Sequence, residues 1–145
     1  MRILSVSAQK PDSTGSGVFL TELVKGFKKA GHQQAIICGT VKEDTIHLPD
    51  GVAVYPMYYK SDEVPFPVCG MSDEMPYEST RYCDMTEEMT EQLFTAFRKK
   101  ILHRVKDLAA PKQLADIKRT LQVGMIYVYI HFDFRILFKH LGTEL

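Results

Sequence analysis

Apolar residues open the chain in a short run, Ile3, Leu4, Val6 and Ala8, the pattern of a strand buried in a parallel sheet. The run stops at Gln9-Lys10-Pro11-Asp12-Ser13-Thr14-Gly15-Ser16-Gly17, a dense cluster of turn formers. Phe19, Leu20, Leu23, Val24 and Phe27 then recur at helical spacing, and Gly31 stands where a helix ends in a left-handed residue. Gly26 inside that helix costs roughly 1 kcal/mol against alanine, so packing must hold it. Gln34 to Gly39 reads as the next buried strand. A strand, a glycine-containing loop, a helix and a strand within about forty residues make a βαβ unit with a right-handed crossover.

Val52, Val54, Tyr55 and Met57 predict a third strand after the Pro49-Asp50-Gly51 turn. From Lys60 to Asp84, Pro65, Pro67 and Pro76 forbid a long regular element, while Phe66, Tyr77 and Tyr82 predict an ordered loop lying over a surface. Asp84 followed by Glu87 predicts a helix start. Met85, Met89, Leu93, Phe97, Ile101 and Val105 then step by four, one apolar stripe on a helix of about six turns. Ala109-Ala110-Pro111 ends it, and Leu114, Ile117 and Leu121 predict a short helix. Within residues 123–138, Ile126, Val128, Ile130, Phe132 and Phe134 alternate with Tyr127, Tyr129, His131, Asp133 and Arg135. That is the period of a strand with one wet face, expected at a sheet edge or paired with a second chain, not in the sheet centre.

Composition narrows the function classes. The chain of 145 residues has the length of one domain. Its 18 Lys and Arg balance 18 Asp and Glu, so net charge argues for neither a nucleic-acid nor an anionic-membrane partner. The same neutrality leaves a homo-oligomer through an edge strand open. The most apolar late stretch carries His131, Asp133 and Arg135, and so fails as a membrane span. Cys38, Cys69 and Cys83 form no Cys-x-x-Cys pair and no even framework, which points to reduced thiols and a cytoplasmic protein.

The segment Asp12 to Gly17 joins a strand to a helix N-terminus, where free N–H groups and a partial positive charge favour anions. No Gly-Lys-Ser/Thr follows, so it is not a Walker A loop. Leu20 occupies the third glycine place of a dinucleotide fingerprint. The residues alone therefore leave two readings, a ligand-contacting loop or a plain tight turn. His32, His47, His103, His131 and His140 are scattered without zinc spacing, so no metal site is expected. Asp73-Glu74 has no facing acidic pair, and Cys69 has no adjacent base.

The order of these segments resembles a known family. Met1 to Ser7, the glycine loop, a helix ending in Lys29-Ala30-Gly31-His32, and Ala35 to Gly39 are similar to the start of GT-B glycosyltransferases of the family 4 type. Pro65-Phe66-Pro67-Val68-Cys69-Gly70-Met71-Ser72-Asp73, Met75-Pro76-Tyr77 and Ser79-Thr80-Arg81-Tyr82 resemble a bacterial subgroup of it. The resemblance covers residues 1–107 and implies an α/β fold, a Rossmann-like parallel sheet flanked by helices. It implies that Gly15, Ser16 and Gly17 face a cleft near the donor diphosphate and the acceptor, and that His32 is structural. It also implies a nucleotide-sugar donor as substrate, with no cofactor and no metal.

From Leu108 the pattern departs. Residues 108–145 form a divergent tail, and His131 is the candidate replacement for the family's sugar-site histidine, unless it is simply a wet-face residue of its strand. The chain ends at Leu145 without the second domain, which in the family holds most of the donor. The expectation is an N-terminal acceptor-side domain that is inactive alone. The alternatives are a non-catalytic α/β binding or interaction module, and a truncated remnant.

Overall fold

A computed structural model describes residues 2–13, 15–70, 77–106 and 115, together with 129–131 and 136–137. For 68–70, 129–131 and 136–137 it describes the backbone alone. Strand β1 (Arg2–Ser7) pairs in parallel with β2 (Gln33–Thr40), and β2 with β3 (Ala53–Tyr58), as the βαβ pattern predicts. Helix α1 (Gly15–Lys29) joins the first pair. Pro56 is tolerated inside β3 because β3 is the outermost strand, where a missing N–H breaks no inner ladder. The three parallel strands and their helices make this an α/β fold.

Alternation sorts the side chains into two cores. Leu4, Ile37 and Met57 share one face with Leu93, Phe97, Ile101 and Val105 of α2 (Glu87–Val105). Ile36 and Cys38 take the opposite face, with Leu20 and Val24 of α1. A helix therefore covers each side of the sheet, and each buried aliphatic contributes about 1.5–3 kcal/mol.

The helix ends follow local rules. Gly31 has φ of 77°; its N–H donates to the Lys28 carbonyl and that of His32 to Phe27, a Schellman close. The His32 ring lies 6.0 Å from that of Phe27. At α2 the cap is not Asp84. The Met89 N–H donates to the Thr86 hydroxyl at 3.2 Å, while Asp84 sits in a 3-10 turn bound by the Arg81 guanidinium. Asp84 lies two residues too early, and its carboxylate is already engaged. Its carboxyl group is held below the usual range by that Arg81 hydrogen bond.

The apolar face of α1 is also turned from the predicted one. Gly17, Leu20, Thr21 and Val24 are buried, whereas Phe19 stays 62% exposed. Between β3 and α2 the loop holds β4 (Val68–Gly70) and β5 (Thr80–Arg81), a small parallel pair. Phe66 and Tyr82 pack on the α2-side core, as an ordered covering loop requires.

The tail corrects an expectation. Strand β6 (Tyr129–His131) runs antiparallel beside β1, and β7 (Ile136–Leu137) pairs outside it. The sheet order is β3-β2-β1-β6-β7, so β6 is flanked on both sides and is not an edge. The open hydrogen-bonding edge of β1 needs a partner, and an antiparallel strand supplies it without a crossover. The alternating faces of 123–138 and the helix at 114–121 otherwise lie outside the described residues. Among the described residues no helix is long and apolar enough to cross a membrane.

Candidate functional site

Because β1, β2 and β3 run parallel and in register, their carboxyl ends open on the same side. A cavity of about 370 Å³ lies there, in the size range of small-molecule sites. The segment leaving β1 contributes Ala8, Gln9, Lys10 and Ser13 to its wall. The end of β2 and the turn beyond add Gly39, Thr40, Val41 and Asp44. Tyr59 and Lys60 follow β3, and Pro67, Tyr77 and Glu78 close the far side.

Tyr59 ties these segments together. Its hydroxyl donates to the Ala8 carbonyl, and its N–H donates to the Thr40 carbonyl at 2.8 Å. The ring crosses β2 at Gly39, where a Cβ would run into the Tyr59 hydroxyl and the Ala8 carbonyl. The next residue, Lys60, is held at φ 53°, a left-handed conformation uncommon outside glycine. Ser61 fixes this bend by donating to the Tyr58 carbonyl at 2.6 Å.

The loop from β1 is set by its packing on α1. The Ser13 hydroxyl donates to the Lys10 carbonyl at 2.6 Å, and the Gln9 N–H to the Ser7 hydroxyl at 3.1 Å. A Cβ on Gly17 would collide with that Lys10 carbonyl and lie 3.1 Å from Ser13 Oγ. Gly17 thus lets the loop lie flat on the helix start, which aims Lys10 along the cavity wall. Among the described residues, both lysines of the wall are paired: Lys10 with Asp44 at 3.2 Å, Lys60 with Glu78. Partly exposed pairs of this kind are worth about 0–1 kcal/mol, so they set charge balance more than stability.

Gly15, Ser16 and Gly17 form the first turn of α1 beside this cavity and do not line it. Gly15 is exposed and has open space around it, Ser16 is half-buried, and Gly17 is buried. His131 pairs in register with Ile3, five residues before Ala8. Along an extended strand that is about 16 Å from the cavity end, so the sheet does not bring His131 to the site. Sequence reasoning missed Gly39, Tyr59, Lys60, Asp44 and Glu78. A signal for one existed: Tyr55, Met57 and Tyr59 continue the period of two that marks β3.

The two glycines make a direct test. Gly17→Ala is expected to cost about 2 kcal/mol through overpacking, whereas Gly15→Ala should stay within about 0.5 kcal/mol or stabilise. Urea denaturation of the two variants checks this, and equal losses would contradict the packing role assigned to Gly17.

A scan against known protein families matches none, and no curated protein matches the chain in sequence.

Proposed function

We propose that the chain is the acceptor-side, Rossmann-like domain of a nucleotide-sugar-dependent glycosyltransferase of the GT-B type, with this cavity as its ligand site. One observation carries the reading: the cavity lies at the carboxyl ends of β1 to β3, walled by the loop that leads into α1. Ligands of open α/β sheets gather at such strand ends. Both stretches that resemble the family meet there, the first through Lys10 and Ser13, the second through Pro67 and Tyr77.

The start of α1 supports the donor side of the reading. Its first turn carries no acidic residue, so the positive end of the helix is not neutralised locally. Free N–H groups at such an end stabilise a leaving diphosphate without a metal or cofactor. Transfer also needs a facing domain to hold the nucleotide, because rate comes from clamping both reactants in one geometry. The reading places the protein in the cytoplasm, where Cys38 and Cys83 stay free thiols.

NMR titration of the 145-residue chain with nucleotide sugars and with simple glycosides tests the proposal. Amide shifts should cluster at Lys10, Tyr59 and Lys60 and at the first turn of α1, with weak affinity and no sugar transfer. Shifts confined to other surfaces would remove the ligand site. Robust transfer by the chain alone would remove the need for a facing domain.

A further inference from the structure

We infer that Lys60 binds the ligand of this cavity, its ammonium donating to a hydroxyl or phosphate oxygen, and that the left-handed backbone at Lys60 is kept to deliver that ammonium; the inference rests on the cavity being the ligand site proposed above. Among the described residues four have positive φ: Asp12 at 59°, Lys60 at 53°, Gly31 at 77° and Gly51 at 80°. The two glycines precede β2 and β3, at the amino ends of those strands. The two non-glycines lie at the other end. Asp12 falls between the wall residues Lys10 and Ser13, and Lys60 is in the wall itself. A Cβ makes the left-handed conformation costly. Aspartate offsets part of that cost by hydrogen bonding locally, whereas lysine has no such means. Glycine would be the cheaper residue at position 60, and strain borne in this way is found at ligand clamps.

The turn around Lys60 holds the strain in place. Tyr59 is pinned through both its N–H and its hydroxyl. Ser61 donates from its hydroxyl to the Tyr58 carbonyl at 2.6 Å and from its N–H to the Val64 carbonyl at 3.1 Å. The Glu63 N–H donates back to Ser61 Oγ at 3.2 Å. The ion pair with Glu78 does not account for the strain. Its two side chains are 48% and 71% exposed, and a pair that open to water contributes less than a left-handed non-glycine costs. An ammonium has three donors, and Glu78 accepts one of them. A ligand oxygen entering the cavity meets the others.

Melting temperature and binding, measured on the same variants, test this. The probes are UDP-glucose, glucose 1-phosphate and methyl α-glucoside, titrated by NMR into the 145-residue chain. Cavity shifts with the two phosphates alone assign the oxygen to the phosphate, and shifts with all three assign it to the sugar. Lys60→Ala and Lys60→Gly both lack the ammonium and differ only in the Cβ. Each should raise the Kd of a probe that shifts the cavity amides about tenfold, the loss of one charge-assisted hydrogen bond. Lys60→Gly should nevertheless melt about 2 °C above Lys60→Ala, although glycine loosens the unfolded chain. Glu78→Gln breaks the ion pair and leaves the ammonium, so it should tighten binding about threefold. An unchanged Kd in both Lys60 variants, or equal melting temperatures for the two, overturns the inference and leaves the cavity as the ligand site. Unchanged or weaker binding by Glu78→Gln does the same, since Lys60 would then act only by holding Glu78. No cavity shifts with any of the three probes overturn the ligand site and the inference together.

Discussion

Gly39→Ala is expected to destabilise the chain by about 3 kcal/mol or more, a large share of the 5–15 kcal/mol that holds a domain of this size. The added methyl would occupy space already filled from two sides, by the Tyr59 hydroxyl and Cζ and by the Ala8 carbonyl. A flexible side-chain tip could retreat. Here one neighbour is backbone at the end of β1, and the other is a ring buried in the α2-side core. Movement of either breaks the hydrogen bond from Tyr59 to Ala8, adding about 1 kcal/mol to the loss.

Two controls separate these contributions. Tyr59→Phe removes the hydrogen bond and leaves the ring, so it should cost about 1 kcal/mol. Combining Gly39→Ala with Tyr59→Ala removes one clash and keeps the other, because the Ala8 carbonyl remains, so the pair should not recover wild-type stability. Thermal and urea denaturation measure all of these. A Gly39→Ala chain as stable as wild type would mean that the three segments around the cavity are not locked as described. The same substitution should abolish ligand-induced shifts at Lys10 and Lys60, since the wall that carries them is displaced.

This crossing also shows where sequence reading reaches its limit. The parallel strands and both helices were legible because burial imposes a period: two along β3, four along Leu93, Phe97, Ile101 and Val105. The Schellman close at Gly31 was legible because it depends on residues within one turn. The cavity depends on Ala8, Gly39 and Tyr59 meeting across the sheet, and on Lys60 meeting Glu78. No local pattern encodes those meetings. Gly15 to Gly17 drew attention as a glycine cluster, yet Gly17 is small so that the Lys10 carbonyl can pass. The exposed side of α1 was misread for a related reason. Apolar residues span a wide arc of that helix, and the close approach at Gly17 decides which part faces inward, leaving Phe19 outside. The direction of β6 was not legible at all, because alternation looks the same in parallel and antiparallel strands.

Stability should fall steeply in alkali, and one thiol accounts for a large part of the fall. Cys38 lies in the α1-side core with Leu20, Val24 and Ile36. Burial pushes its pKa from the ordinary 9.0 up to about 12, with the Lys100 ammonium pulling slightly the other way. In the unfolded chain the thiol gives up its proton near the ordinary value, while the folded chain keeps it. This contribution is therefore fully present below about pH 9 and is lost progressively as the pH rises towards 12. A shift of that size corresponds to about 4 kcal/mol in the limit, and to about 2 kcal/mol at pH 10.5. Cys38→Ala removes the thiol at a packing cost of about 1 kcal/mol at neutral pH. Wild type should then be the more stable chain at pH 7.5, and the variant the more stable at pH 10.5. Ionisation of the lysines and tyrosines is common to both chains and cancels in the difference. Urea denaturation of the pair at several pH values measures the crossing. A difference that does not change with pH would mean that the Cys38 thiol ionises as readily folded as unfolded, and that the α1-side core admits water.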